Sequence, residues 1–450
     1  MKRLSAPSRP LALVDRLLST LWFLPATLVA LAVGLAVGLV ELDARLTVDL
    51  GARLPRLFGA GAEGSRGMLQ AIAGSMITVA GLTFSITMVT LTLASSQYSP
   101  RMLRTFKRDR FNQVVLGTFL GAFAYCLVVL RTVRGGDEGQ FVPSLAVLFA
   151  FFLALAGVVL LIVFIDHVAS SIQVATILTN LRRETDEVVE ALFPDADEPD
   201  DPGGAGGPPA TPDLAWHAVP ARRSGYVQHA DFERLAGLAR ARDVVVRLER
   251  GVGDFVVARG ALAYVGGAPP DADLCRALGG CFEVHDHRTI EQDAAFGLQV
   301  LVDIALKALS PGVNDTTTAG DALLHVTAVL ANLAGRRVET PHRFDGGVAR
   351  VLAREVDFAR FVALAFGPLR RNAAGNVTVL RGLIEALGEV AHFTRNARRR
   401  RALLHELELI CGTVSASVQA AEDREALEAC ARAVRLRLRP PPQGSEHPLR

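Results

Sequence analysis

The sequence predicts a protein in two parts, an all-α membrane half with four transmembrane helices and a cytoplasmic α+β domain in the C-terminal half. Half of the 450 residues are hydrophobic and the mean hydropathy is +0.31, which is too apolar for an ordinary soluble chain. This apolar excess is confined to stretches without charged residues, all of which end before Asp166. Beyond a run rich in Asp, Gly and Pro, short strand and helix patterns alternate, which indicates an α+β domain.

The N-terminal half contains stretches long enough to cross a bilayer. A hydrocarbon core about 30 Å thick needs roughly 20 helical residues, and a backbone in lipid must satisfy its own hydrogen bonds. We therefore expect a transmembrane domain over residues 1–172. Its four helices are predicted at about 17–40, 68–96, 111–130 and 141–165.

The basic residues that flank these helices predict the orientation. Lys2, Arg3, Arg9 and Arg16 precede the first helix, and a second basic group follows the second helix. Cytoplasmic flanks carry an excess of Lys and Arg, so both termini are expected to be cytoplasmic in a multi-pass protein of the bacterial inner membrane.

The second basic group has two interpretations. It consists of Arg101, Arg104, Lys107 and Arg108. These residues either follow the positive-inside pattern alone or also bind anionic lipid headgroups.

The second predicted span carries two polar faces with helical spacing. Small residues share one face: Gly74, Thr78, Gly81, Ser85, Thr92 and Ser96. Another face carries Thr83, Thr87, Thr90 and Gln97, which serves either helix packing or a water-lined path. No Asp, Glu, Lys, Arg or His lies within a predicted span, which argues against a proton-driven pump.

The rest of the chain divides by composition. We expect a helical extension over 173–193, a disordered linker over 194–213 and a disordered tail over 439–450. Between them we predict a small α/β or β-rich subdomain over 214–287 and a helical subdomain over 288–438.

Several classes of activity find no support in the residues. The five cysteines form no CxxC pair, and Cys275, Cys281, His285 and His287 lack the spacing of a zinc site, so no metal or cofactor is expected. No Walker loop, GxSxG or HExxH occurs, so the protein is not expected to be an enzyme. The net charge of +2 does not indicate nucleic-acid binding.

The strongest candidate site is a helix, a turn and a second helix. A helix is predicted from Arg288 to Leu309, and Asp315 or Thr316 can begin the next helix. The candidate residues for a ligand or partner site are Arg288, Asp293, Asp303, Ser310, Gly312, Asn314 and Asp315. A purely structural helix-turn-helix with a good cap explains the same residues.

Two segments resemble a known family. The first segment runs from Leu82-Thr83-Phe84-Ser85-Ile86-Thr87 through Ala94-Ser95-Ser96-Gln97-Tyr98-Ser99-Pro100-Arg101. The second segment is Ala308-Leu309-Ser310-Pro311-Gly312-Val313-Asn314-Asp315. They are similar to the signatures of bacterial membrane proteins of the domain of unknown function twenty-two fifty-four. The resemblance implies four N-terminal spans and a cytoplasmic C-terminal part, without an established activity.

Two functions remain open at this point. The first is a homo-oligomer whose second spans line or gate a path for a small solute or ion, regulated by the cytoplasmic domain. The second is a membrane-anchored sensor or scaffold that binds a ligand or partner at the turn from Ser310 to Asp315. In both, the lipid bilayer is a partner and the small ligand is unknown.

Overall fold

The computed structural model describes residues 22–45, 61–97, 110–135, 141–195, 214–338, 342–345, 348–354 and 356–438. The chain divides into two compact units, Met1–Gln173 and Val174–Arg450. The basic residues 101–108, most of the predicted linker (196–213) and the predicted tail (439–450) lie outside the described residues.

The described part of the first unit contains four helices that are long and apolar enough to cross a membrane. They are α1 (Phe23–Arg45), α2 (Ala62–Gln97), α3 (Arg110–Thr132) and α4 (Ser144–Ser171). α2 begins six residues before its predicted start at 68, and α4 ends six residues after its predicted end at 165. The cause is that hydropathy marks the apolar part of a helix, whereas Glu63, Arg66 and Asp166 lie in helical turns beyond it.

Small residues allow α1 and α3 to pack closely. A Cβ atom on Gly117 of α3 would lie 2.7 Å from Leu28 Cδ1, and one on Gly121 would lie 3.2 Å from Ala32 Cβ. Glycines four residues apart lie on one helix face and let two backbones approach, which is common in membrane helix pairs. At one end of α1 the Asp43 carboxylate accepts hydrogen bonds from Leu145 N and Ala146 N at 3.2 and 3.1 Å. A carboxylate of a neighbouring helix thus satisfies the free N–H groups at the start of α4.

α2 and α3 run antiparallel along a shared interface. At one end a Cβ atom on Gly135, just beyond α3, would lie 2.9 Å from Ala62 Cβ. Further along, Met76 and Phe119 both reach Gly157 of α4, whose Cβ atom would lie 3.3 Å from Met76 Sδ and 3.5 Å from Phe119 Cε1. As residue numbers rise along α2, those of the neighbours on α3 fall, which fixes the register of the pair.

The second unit is an α+β structure. Its described helices are α5 (Val174–Leu192), α6 (Phe232–Ala241), α7 (Ala272–Gly279), α8 (Ala294–Ala308), α9 (Thr316–Ala334), α10 (Phe358–Asn372), α11 (Val377–His392), α12 (Ala397–Ser417) and α13 (Ala421–Leu438). Its described strands are β1 (Trp216–Pro220), β2 (Gly225–Ala230), β3 (Val245–Leu248), β4 (Phe255–Val256), β5 (Ala261–Gly266), β6 (Phe282–His285), β7 (Arg343–Asp345) and β8 (Val348–Leu352).

Two sheets form the β part. The larger sheet has the order β1-β5-β3-β8-β7 and the smaller has the order β4-β2-β6. β3 and β8 pair in parallel, with Val246 opposite Val351, whereas the other pairs are antiparallel. Val246 and Val351 are fully buried in the core of the sheet.

The return of the chain to this sheet corrects the predicted division at residue 288. The predicted helical subdomain covers 288–438, but β7 and β8 lie within that range and extend the sheet begun by residues 216–266. Because β8 has only five residues and its partner β3 lies about a hundred residues earlier, local patterns could not reveal the pairing.

Three helices of the second unit, α5, α10 and α11, pack against α8 and α9. α5 contacts both of them, and its Thr185 is fully buried. A Cβ atom on Gly297 of α8 would lie 2.3 Å from Thr185 Oγ1, so only glycine permits this approach. The arrangement leaves the N-terminus of α8 beside the smaller sheet.

Candidate functional site

A buried ion pair lies at the N-terminus of α8. Arg288 donates to Asp293 Oδ2 from Nε at 3.0 Å and from Nη2 at 2.7 Å. Its Nη1 donates to Gln299 Oε1 at 3.1 Å, and its guanidinium lies 4.8 Å from the centre of the Phe296 ring. Only 6 % of Asp293 is exposed. Every polar contact of the Arg288 side chain is therefore directed inward to α8.

Asp293 also determines where α8 begins. Its Oδ1 accepts a hydrogen bond from Phe296 N at 2.9 Å, and Asp293 is the N-cap of a helix that starts at Ala294. The helix predicted to start at Arg288 therefore starts six residues later, because the segment 288–292 lies against the smaller sheet and does not form a helix. Gln292 Oε1, for example, accepts a hydrogen bond from Ala230 N of β2 at 3.0 Å.

A glycine turn of the β part packs directly on this ion pair. Gly253 has φ +88°, and a Cβ atom there would lie 2.2 Å from Asp293 Oδ2 and 2.9 Å from Arg288 Nη2. Its N–H donates to Val227 O of β2 at 2.8 Å, which holds the turn in place. Burial raises the pKa of Asp293 above its ordinary value, and the Arg288 charge opposes that shift.

The turn after α8 has a different character. Asn314 has φ +49°, and its N–H donates to Ser310 O at 2.9 Å, while Ser310 Oγ donates to Lys307 O at 2.6 Å. Asp315 is the N-cap of α9 and accepts from Thr318 N at 3.0 Å and from Thr318 Oγ1 at 2.6 Å. These hydrogen bonds lower the pKa of Asp315. Residues 311–314 are exposed.

The structure divides the predicted ligand site into two groups. Arg288 and Asp293 lie at the start of α8, whereas Ser310, Gly312, Asn314 and Asp315 lie beyond its end. With 15 residues in α8 at about 1.5 Å each, the groups are roughly 22 Å apart. Asp303 is half-buried within the helix between them. The two groups cannot hold one small ligand together.

The hydroxyl row of the second predicted span lies on the inner face of α2. Thr83 is 1 % exposed and Thr90 is 7 % exposed, and Thr87 is half-buried with its hydroxyl donating to Thr83 O at 2.8 Å. Thr83 Oγ1 has no hydrogen-bond partner in the described part of the chain. The side chain of Gln97 is not described.

The small-residue face of α2 points away from this interior. Cβ atoms on Gly74 and Gly81 would have no neighbour within 4 Å, and Thr78, Ser85 and Thr92 are exposed. The side chain of Ser96, the sixth predicted member, is not described. Within one chain, α2 therefore packs through its hydroxyl row and leaves its small residues free.

Two polar residues at the start of α3, with buried side-chain atoms, are absent from the predicted site residues. Gln113 is 3 % exposed, and Asn112 has a buried Oδ1 without a hydrogen-bond partner among the described residues. Two amide side chains next to a long apolar run are the signal that indicates them. Among the described residues, no three His, Cys, Asp or Glu side chains come together in a group that could hold a metal ion.

Comparison with protein families identifies the chain as a whole. Residues 18–389 match the family described as "Predicted membrane protein (DUF2254)". The chain belongs to this family. Its predicted resemblance to the domain of unknown function twenty-two fifty-four is thereby confirmed.

Proteins with similar sequences occur in mycobacteria. An uncharacterized protein of Mycobacterium bovis and one of Mycobacterium tuberculosis are each 35 % identical to this chain over 444 residues. Each alignment covers 96 % of this chain and 84 % of the relative. No solved structure matches the chain.

The DUF2254 match covers both candidate regions. It includes all of α2 and the segment from Arg288 to Asp315, and it ends at residue 389 within α11. The hairpin of α12 and α13 lies beyond it. The family description names a predicted membrane protein and gives no activity. In this chain, four apolar helices and an α+β region stand behind that description.

Proposed function

We propose that this chain is an oligomeric protein of the bacterial inner membrane that passes a small solute or ion along the inner face of α2. Its C-terminal unit is cytoplasmic and regulates the path. Four apolar helices support the insertion, since each exceeds the roughly 20 residues needed to cross a bilayer. The basic residues at positions 2–16 and 101–108 support the orientation with both termini inside.

The observation that carries the proposal is the hydroxyl row buried between membrane helices. Thr83 and Thr90 are almost fully buried, and the Thr83 hydroxyl has no hydrogen bond within the described chain. A buried polar group without a partner costs about 1–3 kcal/mol. Valine in place of Thr83 would pack equally well without that cost. The hydroxyls of this row are explained if they form hydrogen bonds with a polar solute when the path opens.

The outer face of α2 supports assembly of several copies. The exposed faces of α1 and α4 carry large apolar side chains such as Leu31, Phe152 and Ile162, which suit lipid tails. The exposed surface of α2 also carries large apolar side chains, such as Leu82 and Phe84. It differs in the row of Gly74, Gly81 and hydroxyl residues between them, which suits close approach of another helix. A second α2 is the partner that a homo-oligomer supplies.

Flux through liposomes tests the path. Purified full-length protein is expected to release K⁺, Na⁺ or a small neutral solute such as urea from loaded vesicles. Thr87→Leu should reduce that flux at least tenfold, because a larger apolar side chain would fill the row. Thr118→Leu is the matched control, since Thr118 is half-buried in the groove between α3 and α1, with its hydroxyl bonded to Val114 O at 2.8 Å.

Two outcomes would contradict the proposed path. One is protein that is folded and inserted but passes no tested solute. The other is a flux that Thr87→Leu and Thr118→Leu leave equally unchanged. Labelling of an Arg104→Cys variant from the periplasmic side would contradict the orientation.

A second candidate function is a membrane-anchored sensor or scaffold that binds at the Ser310–Asp315 turn. The observation in its favour is exposure: Val313 is 47 % exposed and a Cβ atom on Gly312 would meet nothing, so core packing does not account for this sequence. Asn314→Gly removes the amide and keeps the positive φ without strain. If this function holds, native mass spectrometry will show a co-purifying ligand or partner that Asn314→Gly loses and that Val348→Ala, at the exposed first residue of β8, retains.

A further inference from the structure

Thr83 stands apart from the other hydroxyl residues of α2. Thr78, Thr87 and Thr92 each donate to the carbonyl oxygen four residues earlier, at 2.8, 2.8 and 2.9 Å. This local bond is the usual way in which a membrane helix satisfies a hydroxyl. Thr83 does not make it, although the residue is only 1 % exposed. Its hydroxyl therefore remains available at the interface of α2 with its neighbours.

The register of α2 and α3 brings Asn112 to the same depth. Met76 and Phe119 meet at Gly157. Thr83 follows Met76 by seven residues and Asn112 precedes Phe119 by seven residues, in helices that run antiparallel. Seven residues are about two turns, or roughly 10.5 Å, and return to the same helix face. The Thr83 hydroxyl and Asn112 Oδ1, both buried and without a partner, thus occupy facing positions, which we name the Thr83–Asn112 niche.

The described side chains around this niche are mostly apolar, with the buried Gln113 next to Asn112 and the His167 ring 4.5 Å from the ring of Phe111. Val115, Phe119 and Phe164 are buried in the same cluster as Met76 and Ala80. The stretches 67–100 and 111–130 carry no charged residue. In such a medium each unpaired oxygen loses the hydrogen bonds that water would give it.

We infer that the Thr83–Asn112 niche binds a small neutral molecule that donates hydrogen bonds, of which water is the smallest. The amide oxygen can only accept, so the bound molecule must donate to it, and the hydroxyl can either donate or accept. A bare cation fits poorly, because Ca²⁺ takes six to eight oxygens and K⁺ needs a ring of carbonyls, whereas the niche supplies two neutral oxygens. The same chemistry predicts that the solute that passes along the path is neutral and polar. This second prediction rests on the proposed function.

A double-mutant cycle tests the binding in full-length protein in lipid nanodiscs. The variants are Thr83→Val, Asn112→Leu and their combination, with Thr118→Val as control because its hydroxyl is bonded within its own helix. If a molecule bridges the two groups, each single change lowers the apparent Tm, and the double change lowers it by less than the sum. Thr83→Ser keeps the hydroxyl and is expected to retain the wild-type Tm more closely than Thr83→Val.

The opposite result would overturn the inference. If the niche is dry, Thr83→Val removes an unpaired buried hydroxyl and raises the apparent Tm, and the two changes are additive. Radiolytic hydroxyl-radical labelling adds an independent readout, because radicals formed from an internal water modify the side chains beside it. Labelling is expected at Phe164, which is buried in the same cluster, and is lost in the double variant. Labelling there no greater than at fully buried Tyr125, whose hydroxyl donates to Ala146 O at 2.8 Å, would also overturn it.

Flux measurements separate this inference from the proposed function. Coupling and labelling without flux of any solute would leave the niche as a binding site and remove the path. Flux of K⁺ with additive variants and no labelling would retain a path and overturn the niche. Flux of urea but not K⁺, reduced by both Thr83→Val and Asn112→Leu, is the result expected if both hold.

Discussion

Asp293 and Asp315 begin two consecutive helices with the same local bond and very different surroundings. Each accepts a hydrogen bond from the backbone N–H three residues later, at 2.9 Å in α8 and 3.0 Å in α9. Asp293 is 6 % exposed and paired with Arg288, whereas Asp315 borders an exposed turn and bonds to Thr318. Burial raises the pKa of the first, and hydrogen bonds lower the pKa of the second. One sequence motif thus has two energetic roles, set by what packs around it.

The largest expected effect comes from removing the charge that compensates Asp293. Arg288→Met leaves a buried carboxylate without its partner and should lower the free energy of unfolding by about 3–5 kcal/mol. Denaturant unfolding of full-length protein, followed by the fluorescence of Trp216 in a Trp22→Phe background, measures it. The control is Arg223→Met, because Arg223 and Asp286 form an ion pair with side chains 50 and 73 % exposed. That exposed pair should contribute about 0–1 kcal/mol. Equal losses in the two variants would contradict the special role of Asp293.

The next largest effect is expected when a methyl group is added beside the Arg288–Asp293 pair. Gly253→Ala must adopt φ +88° and place a Cβ atom 2.2 Å from Asp293 Oδ2. Gly267→Ala adopts φ +113° with no neighbour within 4 Å, so it measures the backbone cost alone. The backbone cost is about 1–3 kcal/mol in each, and overpacking should add about 1–3 kcal/mol at Gly253. Two variants of the same stability would show that Asp293 and Arg288 can move aside freely.

A smaller effect is expected at the exposed cap. Asp315→Ala removes the acceptor for Thr318 N and should destabilise by about 1 kcal/mol, whereas Asp315→Asn keeps an acceptor and should cost little. The same unfolding measurement applies. If Asp315→Asn costs as much as Asp315→Ala, charge rather than capping explains the residue.

The smallest effect is a difference in pH dependence between the two caps. The raised pKa of Asp293 means that folded protein holds a proton that the unfolded chain has lost, so its contribution to stability falls as pH rises from about 3.9 through the raised pKa. The lowered pKa of Asp315 has the opposite sign, since its contribution is present above about pH 3.9 and is lost on acidification through the lowered value. Unfolding free energies from pH 3 to 6 should therefore change in opposite directions when Asp293→Asn and Asp315→Asn are each compared with wild type. A change of the same sign in both would contradict the assigned shifts.

The sequence predicted those features that depend on neighbouring residues. Apolar runs located the four long helices, although their ends differ, because Glu63 and Asp166 continue helices beyond the apolar part. The spacing of Thr83, Thr87 and Thr90 predicted a shared face. It could not predict which face of α2 is buried, since both faces carry small or hydroxyl residues.

Features made by distant residues escaped prediction. Arg288 and Asp293 were candidates for a ligand site with Asn314, but the approach of Gly253 identifies their pair as a buried contact between the smaller sheet and α8. Nothing near Gly253 in the sequence points to residue 293. The partner of Thr83 in the proposed niche likewise depends on the register of α2 against α3.

The parallel pairing of β3 with β8 has a consequence for how the protein is made. During synthesis, residues 245–248 leave the ribosome about a hundred residues before residues 348–352. The pairing of β3 with β8 inside the larger sheet cannot form until α8 and α9 have also left the ribosome. Such long-range pairing is slow to form. A fragment that stops near residue 287 would present the unpaired edge of β3, a surface prone to join other chains.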